Sequence, residues 1–284
     1  MNGKTNASLT FGQNTHTISI PIEARSIFRL LAIGTVVRNQ DFVEFLSKHL
    51  DEILQAIQPT PRLTEERDFL NYSYNHKGDD KGDDKDIVFE KCSEQELCKS
   101  KNAFFMNKEY ADTLGEVFDY QVPLASSRDA GEGVIDMLSL CDGNTPKIYV
   151  IEVKKWDSDE HPLRAMFEAL TFWRLLADEG NDKDPRFTNF ITCYNKSKRK
   201  NRELPPDATI VPAILVREGS DIYSKMMMRK EPSDGNLRAL YGKILGKGLR
   251  CFSYKRIQDA NKLLEVEDFT EVFRKRSTES SPTS

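Results

Sequence analysis

GVIDMLSLCDGNTPKIYVIEVKKW, residues 133 to 156, holds two apolar runs, Val134 to Leu140 and Lys147 to Val153. Between them stand Cys141-Asp142-Gly143-Asn144-Thr145-Pro146, a turn-rich connection that marks a β-hairpin. Asp136 is the charge inside the first run. Glu152 and Lys154 close the second and, two residues apart on a strand, project from one face. A hairpin symmetric about Asn144 sets Asp136 opposite Glu152. Two carboxylates facing each other across a ladder repel, so this arrangement calls for a cation between them, and Lys154 points the same way.

Two carboxylates can hold a hard, oxygen-preferring cation, and an ammonium beside them can neutralise charge building on a phosphate. Asp136, Glu152 and Lys154, written Val134-Ile135-Asp136 and Ile151-Glu152-Val153-Lys154 with the spacing D-x15-E-x-K, resemble the signature of the PD-(D/E)XK nuclease superfamily. The other reading is a surface hairpin with scattered charges; the neighbouring Ile, Val, Tyr and Leu residues weigh against it.

Composition bounds the rest. The chain has 284 residues, enough for one large or two small domains, and a formal net charge of -4. Any nucleic-acid surface must therefore be a local patch. The five cysteines are odd in number, without paired CxxC spacing, and no secretory leader is evident. Reduced thiols and a cytoplasmic location are expected. No apolar run is long enough to cross a bilayer, so no membrane partner is expected.

Along the chain, Ser8 to Phe11 and Thr15 to Ile20 read as a small hairpin, and Ile22 to Val37 as a helix. Asp41 to Ile57 carries Phe42, Phe45, Leu46, Leu50, Ile53, Leu54 and Ile57 at helical spacing, with Asp41 as N-cap. Leu63 to Tyr74 reads as a short helix, and residues 76–86, with KGDD twice and nothing apolar, as a mobile loop. Residues 92 to 118 read as two helical pieces, followed by a strand over Tyr120 to Leu124. Pro162 opens a helix whose buried face is Leu163, Met166, Phe167, Leu170, Trp173 and Ala177. On its polar edge, Arg164 and Glu168 form an ordinary i, i+4 pair. Phe187 to Tyr194 and Thr209 to Val216 read as strands. Glycine turns are expected in YGKILGKGLR, a strand over Cys251 to Tyr254, a closing helix over Asn261 to Phe273, and a disordered tail from Ser277.

The superfamily resemblance implies an α/β fold: a restriction-endonuclease-like αβββαβ core with a mixed sheet flanked by helices, and a mainly helical N-terminal accessory region. The divisions are then 1–100 for the accessory region, 101–275 for the nuclease-like domain and 276–284 for the tail. It further implies that Asp136 and Glu152 bind Mg²⁺ or Mn²⁺, with the Val153 carbonyl as third ligand, while Lys154 assists the attacking water. Glu116, near the end of the helix expected before the first core strand, is either the additional acid that the superfamily often draws from that helix or a solvated helix residue. RAMFEALTFW resembles the Q-x-L-x-x-Y pattern of the following helix, with Glu168 at the glutamine position.

The partner this implies is DNA, and the resemblance allows for a homodimer. Lys196, Lys198, Arg199, Lys200 and Arg202, in the connection after Tyr194, are the local candidates for phosphate contacts; the alternative for them is a solvated loop. The expected function is metal-dependent hydrolysis of phosphodiester bonds in DNA. Two alternatives stay open: a non-catalytic nucleic-acid or protein interaction module on the same fold, and an unrelated α/β enzyme acting on a small phosphorylated substrate.

Overall fold

The six-residue connection from Cys141 to Pro146 sets the register of the molecule's central sheet. In a computed structural model that describes residues 5–11, 14–20, 40–57, 113–123, 134–154, 160–177, 185–197, 202–227, 235–256 and 264–278, β4 (Val134–Cys141) folds back on β5 (Lys147–Lys154) with Cys141 opposite Lys147 and Met137 opposite Ile151. This is the register that symmetry about Asn144 predicts. Upstream, β3 (Glu116–Pro123) pairs antiparallel with β4. Beyond β5 come β6 (Thr209–Arg217) and β7 (Arg250–Arg256), both parallel to it, and β8 (Leu264–Asp268) closes the edge antiparallel to β7. The result is one mixed six-stranded sheet of order β3-β4-β5-β6-β7-β8, with helices, in a mixed α/β fold. A separate two-stranded sheet pairs β1 (Thr5–Phe11) with β2 (Asn14–Ile20), as the alternation there predicts.

Strands β5 and β6 lie mid-sheet, which is why KIYVIEVK and TIVPAILVR read as nearly continuous apolar runs. Their alternation sorts side chains onto two faces. Ile148, Val150, Ile214 and Val216 join the larger core; Tyr149, Ile151, Val153, Ala213 and Leu215 join a second cluster with Phe252 and Tyr254. Pro212 is tolerated in β6 because it precedes Ala213, where β7 first pairs, so the strand has a neighbour on one side only at that point.

The larger core is filled by helices α1 (Gln40–Ala56), α2 (Pro162–Leu176), α3 (Pro185–Lys196), α4 (Asp221–Met226), α5 (Gly235–Gly246) and α6 (Thr270–Thr278). Helix α1 buries the predicted stripe of Phe42, Leu46, Leu50, Ile53 and Leu54. Asp41 lies inside its first turn rather than at the N-cap, where an acid still favours the helix dipole. Helix α2 packs on β5 and β6 and is buried almost all round. Its Arg174, itself buried, donates from Nε to the Leu54 carbonyl at 3.1 Å, adding a second donor to an oxygen at the end of α1 that also accepts the Ile57 N–H at 3.3 Å.

Four further expectations are corrected. Phe187 to Tyr194 is helix α3, not a strand; its aromatic and β-branched run suggested extension, but Phe187, Phe190, Ile191 and Tyr194 fall at i, i+3, i+4 and i+7 and are all buried. Asn261 to Phe273 is not one helix: β8 occupies Leu264–Asp268, and the Asp268 carboxylate accepts the Thr270 N–H at 2.9 Å where α6 begins. Helix α6 extends through Ser277, whose hydroxyl donates to the Phe273 carbonyl at 2.8 Å, so Ser277 is helical rather than part of a tail, and residues 279–284 lie outside the described residues. Gly242 and Gly246 belong to α5, and only Gly248 of that glycine series adopts a left-handed turn. The helices expected over Ile22 to Val37 and Leu63 to Tyr74 and the loop over 76–86 lie outside the described residues.

Among the described residues, no helix is long and apolar enough to cross a membrane.

Candidate functional site

Strand β4 runs alongside β5 as far as Met137 opposite Ile151. At the next step Asp136 Oδ2 accepts the Val153 N–H at 2.9 Å, so a side-chain carboxylate stands where a strand carbonyl would. Asp136 is thereby fixed level with the Glu152–Lys154 end of β5. It is half-buried, whereas Glu152 and Lys154 are only 6 % and 7 % exposed.

One cation of the protein's own meets Glu152. Lys154 Nζ lies 2.8 Å from Glu152 Oε1, 2.9 Å from Glu168 Oε2 and 3.0 Å from Glu160 Oε2. Arg164 closes a ring from the helix side, with Nη1 2.7 Å from Glu160 and Nε 3.0 Å from Glu168. The local sequence accounts for this assembly. His161 caps α2 by accepting the Leu163 N–H on Nδ1, Pro162 takes the first helical position, and the spacing of four residues from Glu160 to Arg164 to Glu168 stacks the three on one side.

Burial sets the protonation pattern. Loss of water around Glu152, with Asp136 beside it, holds its carboxyl well above the usual range, although Lys154 pulls the other way. Burial alone would lower the Lys154 ammonium, but Glu152, Glu168, Glu160 and Asp136 together raise it well above its ordinary value. Burial pushes Glu168 up; Lys154, a hydrogen bond with Glu152 and Arg164 outweigh it, and its net shift is downward.

Not every expected site residue joins this cluster. Glu116 is the first residue of β3 rather than part of a helix, and it sits opposite Leu140, about 13 Å along β4 from Asp136 at strand rise. There it pairs with Arg202, whose other amino group reaches Asp142 at 2.6 Å. The position assigns Glu116 to the hairpin end of the sheet and separates it from the proposed metal residues. Asp119, an acid the sequence reading passed over, is buried and in register with Leu138, two residues along β4 from Asp136.

Arg202 and the exposed Lys196 also lie toward the hairpin end, because the segment before β6 must return to where its parallel partner β5 begins. Lys154, at the other end of β5, is about 20 Å away at strand rise. Asn195 ties this connection back on itself through Leu204, donating to its carbonyl at 3.0 Å and accepting its N–H at 2.8 Å. Lys198, Arg199 and Lys200 lie outside the described residues.

Among the described residues, no three His, Cys, Asp or Glu side chains are gathered so as to enclose a metal ion. Comparison with protein-family models, curated proteins and solved structures gives no match.

Proposed function

We propose that the chain is a metal-dependent phosphodiesterase of PD-(D/E)XK type acting on DNA, built on a restriction-endonuclease-like core. One observation carries this reading: the Asp136 carboxylate is anchored on the Val153 N–H, level with a buried Glu152 that is itself in contact with Lys154. The strand, strand, strand, helix, strand succession from β3 through α2 to β6, interrupted by α3, is compatible with the αβββαβ core.

The donor set suits a hard divalent cation. Asp136 and Glu152 offer carboxylate oxygens, and a bound Mg²⁺ or Mn²⁺ would offset the burial and the Asp136 repulsion that hold the Glu152 carboxyl above its ordinary range. Asp136, Glu152 and the Val153 carbonyl would hold the ion. When bound, it supplies Lewis-acid polarisation and a more acidic water. Lys154 would contribute its positive charge to phosphate oxygens in a low-dielectric setting, and Glu168, itself paired with Arg164, holds that ammonium in place. Cytoplasmic residence and a homodimer remain part of this proposal.

The non-catalytic module on the same fold is favoured by a different observation: all three carboxylates around Lys154 are within ion-pair distance. The deciding experiment is cleavage of labelled linear, single-stranded and branched DNA by wild type and Glu152→Ala in Mg²⁺, Mn²⁺ and EDTA. Metal-dependent cutting that the substitution abolishes supports the nuclease; wild-type protein that cuts none of the substrates, or cutting that survives Glu152→Ala, rejects it.

A further inference from the structure

Lys154 Nζ lies 2.8, 2.9 and 3.0 Å from carboxylate oxygens of Glu152, Glu168 and Glu160; the Glu168 contact is a hydrogen bond, whereas the buried Glu160 Oε2 accepts none. The Glu160 contact is therefore a charge contact without a hydrogen bond. The three are not equivalent. Glu152 is in the sheet and almost fully buried. Glu168 is in the middle of α2, its side chain 16 % exposed and held by both Lys154 and Arg164. Glu160 precedes α2, and its side chain is 25 % exposed, next to an Arg164 side chain exposed at 31 %.

We propose that Lys154 and Arg164 form a subsite for the phosphate of a phosphodiester, and that the Glu160 carboxylate is its built-in place-holder. The choice of ligand rests on the phosphodiesterase reading; the subsite itself rests on geometry. Glu160 bridges the two cations, one oxygen 3.0 Å from Lys154 Nζ and the other 2.7 Å from Arg164 Nη1. A phosphodiester also carries one negative charge and presents two unesterified oxygens, so the exchange keeps both cations compensated.

The placement of Arg164 is otherwise unfavourable. It stands in the first turn of α2, where the helix dipole disfavours a cation and where α2 has no acid. An anion bound there gains from the same dipole. Release of Glu160 needs only side-chain rotation: its carbonyl lies 3.5 Å from Lys225 Nζ, and the Arg164 N–H holds the neighbouring His161 carbonyl at 2.9 Å.

The test is binding of a short fluorescent single-stranded DNA, and separately of inorganic phosphate, in EDTA. Glu160→Gln should tighten both by about fivefold, the scale of one partly exposed ion pair. Adding Arg164→Ala should cancel the gain and lower the salt dependence for the strand by about 0.7. Glu160→Ala should reproduce the tightening, which guards against an effect of the glutamine amide. Unchanged affinity in both Glu160 variants, or a gain that survives Arg164→Ala, overturns the subsite; tightening for inorganic phosphate alone overturns its assignment to a phosphodiester. Because no metal is present in this binding test, its failure is distinct from failure of metal-dependent cleavage, which is read separately in Mg²⁺ with Asp136→Asn.

Discussion

Asp136 Oδ2 accepts the backbone N–H of Val153 at 2.9 Å, so one carboxylate both completes a strand edge and faces the acid on the neighbouring residue. Its two roles can be separated by substitution. Asparagine keeps an oxygen able to accept that N–H, whereas alanine leaves the donor without it. Asp136→Ala should lose about 1 to 3 kcal/mol of stability and Asp136→Asn less than about 1 kcal/mol, measured by denaturant unfolding in EDTA. Calorimetric titration with Mn²⁺ should find the site missing from both. An equal loss of stability in the two variants would deny the structural role.

Glu152 predicts a pH effect in the absence of metal. Its folded-state carboxyl is raised, chiefly by burial and then by Asp136. The folded protein therefore binds its proton more tightly than the unfolded chain. The associated stability is complete below the ordinary carboxyl range and is lost as pH rises through the elevated folded value. Glu152→Gln should flatten this decline in a series of unfolding curves taken in EDTA from acid to neutral pH. A decline of the same steepness in the variant would assign it to another group.

Gly115 should not admit a side chain. Its φ is +75°, and a Cβ there would meet the Leu140 carbonyl oxygen at 2.2 Å, against fixed backbone of β4. Gly115→Ala should cost about 2 to 5 kcal/mol. Gly143→Ala in the hairpin turn meets nothing within 4 Å and should leave the melting temperature nearly unchanged.

Arg202 should matter little for turnover. It is engaged with Glu116 and Asp142 at the hairpin end, with its side chain 29 % exposed. Arg202→Ala should lower stability by under about 1 kcal/mol. It should also leave the rate of metal-dependent cleavage at saturating DNA within about twofold, less than the loss of a catalytic contact would cause. A loss as deep as that of Lys154→Ala would place Arg202 in the reaction.

The hairpin was legible because period-two alternation and a fixed connection length leave a single register for β4 and β5. Helix α1 was legible for a similar reason, its stripe spanning several turns. Helix α3 was less legible: its aromatic and β-branched residues favour extension, while Phe187, Phe190, Ile191 and Tyr194 carry the helical period that the fold obeys. The end-to-end separation of Arg202 from Lys154 follows from parallel pairing of β5 with β6, which no local pattern announces. Glu160 was passed over because its significance comes from Lys154 and Arg164 converging on it, one from the sheet and one from a helix.

The bond from Arg174 to the Leu54 carbonyl has a practical consequence for anyone trimming the chain. Helix α2 carries Arg164 near one end and, near the other, fastens to a helix encoded more than a hundred residues earlier. Phe42, Leu46, Leu50 and Ile53 fill the same interior as Met166 and Leu170. A fragment starting after residue 57 would lack a wall of that interior as well as a cap, and its helix α2 would be expected to loosen before any strand of the sheet did.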